Sequence, residues 1–172
     1  MTPADEPRWL DDEERDAWIM LESILTRLPT SLDAQLQRDA GISHFEYLVL
    51  AGLSMTDNRA LRMKDLAAFA GGSLPRLSQV VTRLEKRGWV SRRPDPVDGR
   101  STIADLTDAG YQVVVAAAPG HVDAVRCFVF DNLTRAQIRQ LTGIGRRVVA
   151  AIDPNHPALI GLPAMNLGTQ DR

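Results

Sequence analysis

The chain carries very little cysteine, few aromatic residues, almost no net charge and no recognisable catalytic motif. Its one cysteine, Cys127, cannot form an intramolecular disulfide, and a reducing cytoplasm is the expected setting. Aromatics are 5% of the residues, while leucine, valine and alanine are plentiful, a mixture that suits packed helices better than stacked sheets. A formal net charge of −2 excludes a uniformly basic coat. No apolar run approaches the ~20 residues that cross a bilayer, so no membrane span is expected. The first residues are acidic and have no apolar stretch, unlike a secretory leader. His44, His121 and His156 lack metal-ligand spacing, and no metal is expected. A phosphate loop, nucleophile elbow or paired-carboxylate motif is also missing, so neither an enzyme nor a cofactor is expected. There is no internal repeat and no low-complexity tract.

What is present is organised. Hydrophobic residues are 44% of 172, enough for the core of one domain. Charge is segregated along the chain. Residues 1–46 hold four basic and eleven acidic side chains, a net of −7, whereas residues 59–100 hold ten and four, a net of +6. Such a block inside a near-neutral chain is either an electrostatic footprint for a polyanion or a solvated surface whose charges cluster by chance.

The helical signals are local and physical. Residues 1–9, rich in proline and acid, read as a mobile arm. Asp11 to Glu14 are acids suited to a helix N-terminus. Trp18, Leu21, Leu25, Leu28, Leu32 and Leu36 then form one apolar stripe, which Pro29 should kink and Gly41 should end. Ser43 with Glu46 is a capping box for a second helix, with Phe45, Leu48, Val49, Gly52 and Met55 on its inner face. Thr56 to Asn58 read as a loop. A short helix is expected near 64–70, then a sharp turn at Gly71–Gly72.

A further helix should run from Leu74 to Lys86, with Ser73 as N-cap, Pro75 in the first turn and Gly88 as terminator. Residues 89–94 and 100–106 read as two short strands around the turn-forming segment Asp95 to Gly99. Thr107 opens a long helix to about Phe130, with a kink or break at Pro119–Gly120. Thr134 with Gln137 caps a last helix to about Ile152, and 153–172 read as a loose tail.

Two of these elements carry a functional argument. On the helix 74–86, Leu74, Leu77, Val81 and Leu84, flanked by Val80, form the inward stripe. The other face shows Pro75, Arg76, Ser78, Gln79, Thr82, Arg83 and Lys86 and contains no acid. Arginine can make paired hydrogen bonds to guanine and glutamine to adenine, while hydroxyls and arginines hold phosphates. An ordinary solvated helix has the same pattern. The following hairpin tips the balance, since it cannot bury enough to stand alone and makes sense as a wing beside a recognition helix. Arg92 enters it, and Arg100, just past Gly99, can reach a minor groove. Asp98 is placed to orient Arg100 by an ion pair.

The stretch from Leu66 to Gly110 resembles the MarR family of bacterial transcription regulators. The matching residues are Leu66–Ala67, Ser73 through Leu84-Glu85-Lys86-Arg87-Gly88, Asp95-Pro96-Val97-Asp98-Gly99-Arg100-Ser101, and Leu106-Thr107-Asp108-Ala109-Gly110. Helix order and lengths match over about residues 10–152. The resemblance implies a mainly α fold with a small β-hairpin: a winged helix-turn-helix lobe at 41–106, flanked by dimerisation helices at 10–40 and 107–152. It implies a homodimeric regulator, by default a repressor, on double-stranded DNA. Ser73, Pro75, Arg76, Ser78, Gln79 and Arg83 fall on the family's DNA-facing positions, Arg100 on the minor-groove arginine and Asp98 on its supporting carboxylate. Gly72 departs from the apolar residue usual in the turn, and Lys64 from the small polar residue that commonly opens the preceding helix.

Other residues leave alternatives open. Cys127 is either a redox sensor or a small buried hydrophobe beside Val125, Phe128 and Val129, the latter being the expectation. His44 reads as an exposed first-turn residue and His121 as a capping or surface residue. Trp18 and Tyr47 read as core. The same four are the candidates to line a site for a small aromatic or amphipathic effector. A winged-helix module that binds an acidic protein partner remains the competing function, and DNA titration at two salt concentrations separates the two.

Overall fold

The computed structural model describes residues 7–154 and 156. Most of the expected arm at 1–9 and of the tail at 153–172 lies outside the described residues. The elements run α1 (Asp12–Ala40), α2 (His44–Ser54), β1 (Ala60–Arg62), α3 (Met63–Phe69), α4 (Leu74–Lys86), β2 (Val90–Pro94), β3 (Thr102–Leu106), α5 (Asp108–Phe128), a 3-10 turn (Phe130–Asn132) and α6 (Arg135–Ile152).

Local chemistry explains the boundaries. Asp11 and Glu14 form a reciprocal capping box for α1, Ser43 and Glu46 one for α2, and Thr134 and Gln137 one for α6. Gly41 ends α1 in the left-handed region (φ 63°), a conformation that glycine adopts without a Cβ penalty. α1 continues through Pro29 as one helix. Neighbouring hydroxyls bond back to the preceding turn, Thr26 Oγ1 to the Glu22 carbonyl at 2.8 Å and Thr30 Oγ1 to the Thr26 carbonyl at 3.1 Å. α5 likewise runs unbroken through Pro119 and Gly120. It stops at Phe128 rather than Phe130, because Val129 leaves helical geometry and the 3-10 turn follows.

The hairpin is part of a three-stranded antiparallel sheet of order β1-β3-β2. Strand β1, absent from the sequence reading, pairs Ala60 with Asp105, Leu61 with Ala104 and Arg62 with Ile103. Three residues are too few to display alternation. The main core joins α2, α3, α4 and the sheet through Val49, Leu50, Leu66, Leu77, Val81 and Leu84. A second cluster of Leu36, Ile42, Tyr47, Ala51 and Ala117 joins α1, α2 and α5.

Several inward assignments change. Leu74, expected on the core stripe, is 50% exposed and faces the groove beside the wing. Only Leu32 and Leu36 of the α1 stripe are buried, and Trp18, expected in the core, is 50% exposed. Cys127, expected to be a buried hydrophobe, is exposed with Phe128 near the end of α5. No residue of α6 is buried. In each case the apolar pattern is real, but no other described residue of the chain covers it. The expectation that no run could span a bilayer also changes. Within residues 108–132 an 18-residue window reaches a mean hydropathy of 1.5, long and apolar enough by composition alone. That helix packs against α1 and α2 in the folded chain.

Candidate nucleic-acid interface

The DNA-facing surface expected from sequence is assembled around α4. Ser73 caps the helix by accepting a hydrogen bond from the Arg76 N–H at 3.4 Å, and Gly71 provides the left-handed residue of the turn before it (φ 65°). Leu77, Val80, Val81 and Leu84 are buried, which turns Ser73, Pro75, Arg76, Gln79 and Arg83 outward, with Ser78 half-buried beside them. The one acid that follows on this helix, Glu85, is already committed to Arg92.

Each arginine is held differently. The Arg76 guanidinium lies 4.1 Å over the Phe45 ring. Arg83 Nε donates to Glu46 Oε1 at 3.5 Å. Arg92 donates from Nη2 to Glu85 and to Thr82 Oγ1, so it braces the wing against α4 rather than projecting freely. Asp98 was expected to pair with the Arg100 side chain. Its carboxylate is instead occupied by the Arg100 backbone N–H (3.2 Å) and the Ser101 hydroxyl (2.8 Å). It shapes the wing turn and leaves the Arg100 guanidinium exposed. The carboxylate that anchors the wing is Asp95, almost wholly buried. It accepts from the Val97 and Asp98 N–H groups and, at 2.6 Å, from Arg62 Nε. The Val97 N–H and the Arg62 cation hold its carboxyl below the usual range.

Between α3, α4 and the wing lies a groove of about 550 Å³ bordered by Arg62, Lys64, Arg92 and Arg100, with Asp65 and Asp98 as its acids. Arg62, Lys64 and Asp95 are not among the candidate site residues read from the sequence. Their charges lay inside the +6 segment, but no periodicity relates β1 to the wing.

The other candidate residues divide. His44, Tyr47 and His121 meet where α1, α2 and α5 join: the Tyr47 and His121 rings are 4.4 Å apart and those of His44 and His121 5.7 Å. His121, read from sequence as a cap or surface residue, is 3% exposed, and His44 is half-buried rather than exposed. Burial and then the neighbouring His44 lower the His121 pKa to about 4; burial also lowers His44, against the pull of Asp33. Burial pushes the Tyr47 hydroxyl up to about 12. Tyr47 is core, as expected. Trp18 does not join them; it lies fourteen residues before Leu32 on α1, roughly 20 Å along the helix. Among the described residues no group of histidine, cysteine and acid side chains is placed to hold a metal.

The model of the MarR family matches residues 42–102. The crystal structure of Sco3205, a MarR family transcriptional regulator from Streptomyces coelicolor in complex with DNA, matches with 47% identity and a TM-score of 0.83. That match covers 91% of this chain and 98% of that one. The chain belongs to the MarR family.

This MarR-family regulator is also similar to AbsC from Streptomyces coelicolor, at 32% identity and a TM-score of 0.75, covering 90% of this chain and 99% of that one. The transcriptional repressor MprA of Escherichia coli (strain K12) is 24% identical over 152 residues, 84% of this chain and 86% of the relative. The winged-helix architecture expected from the motifs is therefore that of the family, with α4 in the recognition-helix position and β2–β3 as the wing.

Proposed function

We propose that the chain acts as a homodimeric repressor in the bacterial cytoplasm, binding a pseudo-palindromic operator in double-stranded DNA. The observation that carries this reading is the acid-free outer face of α4 beside a groove edged by four cations. Arg76 and Gln79 read bases in the major groove, Ser73, Pro75 and Ser78 shape the contact surface at the helix start, and Arg83 meets phosphate. Arg100 enters the minor groove, while Arg92 and Asp98 hold the wing in shape. The DNA complex of a regulator 47% identical supports the assignment. Arg76→Ala should cost ~1–3 kcal/mol of operator affinity and relax specificity at the base it reads. Arg100→Ala should weaken binding chiefly on narrow-groove flanks. Titration at two salt concentrations checks both, and unchanged affinity in the two variants overturns the assignment. Indifference to salt points to the acidic-protein alternative.

The domain division follows the same reading: residues 10–40 and 107–152 as dimerisation helices around a DNA-reading lobe at 41–106. Its support is apolar surface left open on the flanking helices, Trp18, Ile24 and Leu25 on α1 and Leu141, Ile144 and Ile152 on α6. Ile24→Glu combined with Ile144→Glu should convert the dimer to monomer in sedimentation equilibrium. A variant that stays dimeric at micromolar concentration removes these faces from the interface.

Half-sites are expected about one helical turn apart, ~10 base pairs. A small aromatic or amphipathic effector would act in the cleft of about 710 Å³ between α1 and α4, bounded by His44 on one side and Arg76 and Arg83 on the other. Ligand bound there favours a head spacing that does not fit DNA, a population shift toward the released dimer.

A further inference from the structure

The first turn of α2 lies beneath the DNA-reading face and touches both outward arginines of α4. Phe45 is buried, and its ring lies under the Arg76 guanidinium, 4.1 Å from centroid to Cζ. Next to it Glu46, also buried, accepts from Arg83 while capping its own helix through the Ser43 N–H. The two contacts differ in consequence. An ion pair consumes donors, whereas stacking uses the face of the guanidinium and leaves its in-plane N–H groups free. Those groups are the ones that make a paired contact with guanine.

The ring reaches this position because of Gly72. A Cβ at Gly72 would stand 2.5 Å from Phe45 Cζ and 2.6 Å from Cε2. Gly71, not Gly72, takes the left-handed conformation of the turn. Glycine at position 72 is therefore a matter of space: it admits the ring under the start of α4.

We infer that Phe45 is a positioning residue for base reading, stacking on Arg76 to hold its guanidinium ready for DNA, and that Gly72 makes room for that stack. Phe45 needs no contact with DNA. It restricts the rotamers of an otherwise exposed arginine before binding, so less side-chain freedom is lost in the complex. The inference rests on the base-reading role proposed above for Arg76, and the test separates the two.

The duplex is the tightest binder that the wild-type protein selects from a random pool, compared with an unrelated duplex of equal length. Phe45→Leu and Gly72→Ala should each weaken binding to the selected duplex about three- to tenfold, with binding to the unrelated duplex and the salt dependence unchanged. In an Arg76→Ala background neither should cause further loss. NMR of the free protein should show the Arg76 δ-protons shifted upfield by the ring, and both substitutions should move them toward ordinary values. If Phe45→Leu fails to fold, Gly72→Ala decides the matter, because it adds one methyl at a partly exposed turn. Equal losses on both duplexes, full losses in the Arg76→Ala background, or tighter binding would overturn the inference while leaving Arg76 as a reader. An Arg76→Ala protein with wild-type affinity would overturn both.

Discussion

Gly110→Ala is expected to lower stability by about 3 kcal/mol, although alanine is the better helix former by ~1 kcal/mol. The residue lies in the first turn of α5, where a Cβ would stand 2.2 Å from the Trp89 carbonyl oxygen and 2.7 Å from Leu106 Cδ1. The first of these is backbone and cannot rotate aside. That carbonyl already accepts from the Thr107 N–H at 3.0 Å, and the Thr107 hydroxyl donates to the Gly88 carbonyl at 2.7 Å. Three segments are thus clamped at one point: the exit of α4, the start of β2 and the start of α5. Moving any of them to admit a methyl group breaks hydrogen bonds or displaces Leu106 from the core. Urea unfolding at fixed protein concentration measures the loss, and thermal unfolding should shift down by roughly 6–12 °C. Because helix propensity alone predicts stabilisation, a midpoint at or above wild type would show that the clamp yields freely.

Acid should destabilise the protein through His121. In the folded chain its pKa falls to about 4, against an ordinary value of 6.5, because burial and the facing His44 both disfavour the charged ring. The rings that face it are those of His44 and Tyr47 from α2; Asp33 acts on His44, and Gln35 and Asp39 of α1 lie beside the neighbouring Gly120. Among the described residues, His121 Nδ1 has no hydrogen-bond partner that would reward a proton. A lowered pKa means that the unfolded chain binds the proton first. The stabilisation is therefore complete above pH 6.5 and is lost as pH falls toward 4. At one pKa unit per 1.36 kcal/mol, the shift amounts to about 3 kcal/mol. His121→Phe, which keeps a ring against Tyr47, should remove most of this acid sensitivity. Unfolding free energies at pH 7 and pH 4.5 test it: if the difference between the two pH values is the same in both proteins, other groups carry the acid response.

What could be read from the residues alone depended on how local the causes were. Caps are short-range chemistry, so Ser43 with Glu46, Ser73, Thr107 and Thr134 with Gln137 marked their helix starts correctly. Gly41, Gly71 and Gly88 marked left-handed endings for the same reason. The outward face of α4 followed from periodicity on a helix whose other side is packed from Leu77 onward, Leu74 at its start being exposed. Failures came where the deciding contact was distant. Trp18 lies on a genuine apolar stripe, but a stripe does not say which body covers it. His121 is buried because α1 and α2 close over the middle of α5, which no spacing within α5 reveals. Asp95 and Asp98 stand three residues apart, and only the arrival of Arg62 from β1 distinguishes the wing's anchor from its turn former.

Among the described residues, the sheet order β1-β3-β2 leaves β2 with an unpaired edge that runs past α4. An open strand edge is a template on which other chains can add. On this edge stand Arg92, Arg93 and, at the end, Pro94, a residue that offers no N–H to a newcomer. The opposite edge is only three residues long. Charge and proline on an open edge disfavour strand-to-strand addition between free molecules, an effect that requires no nucleic acid.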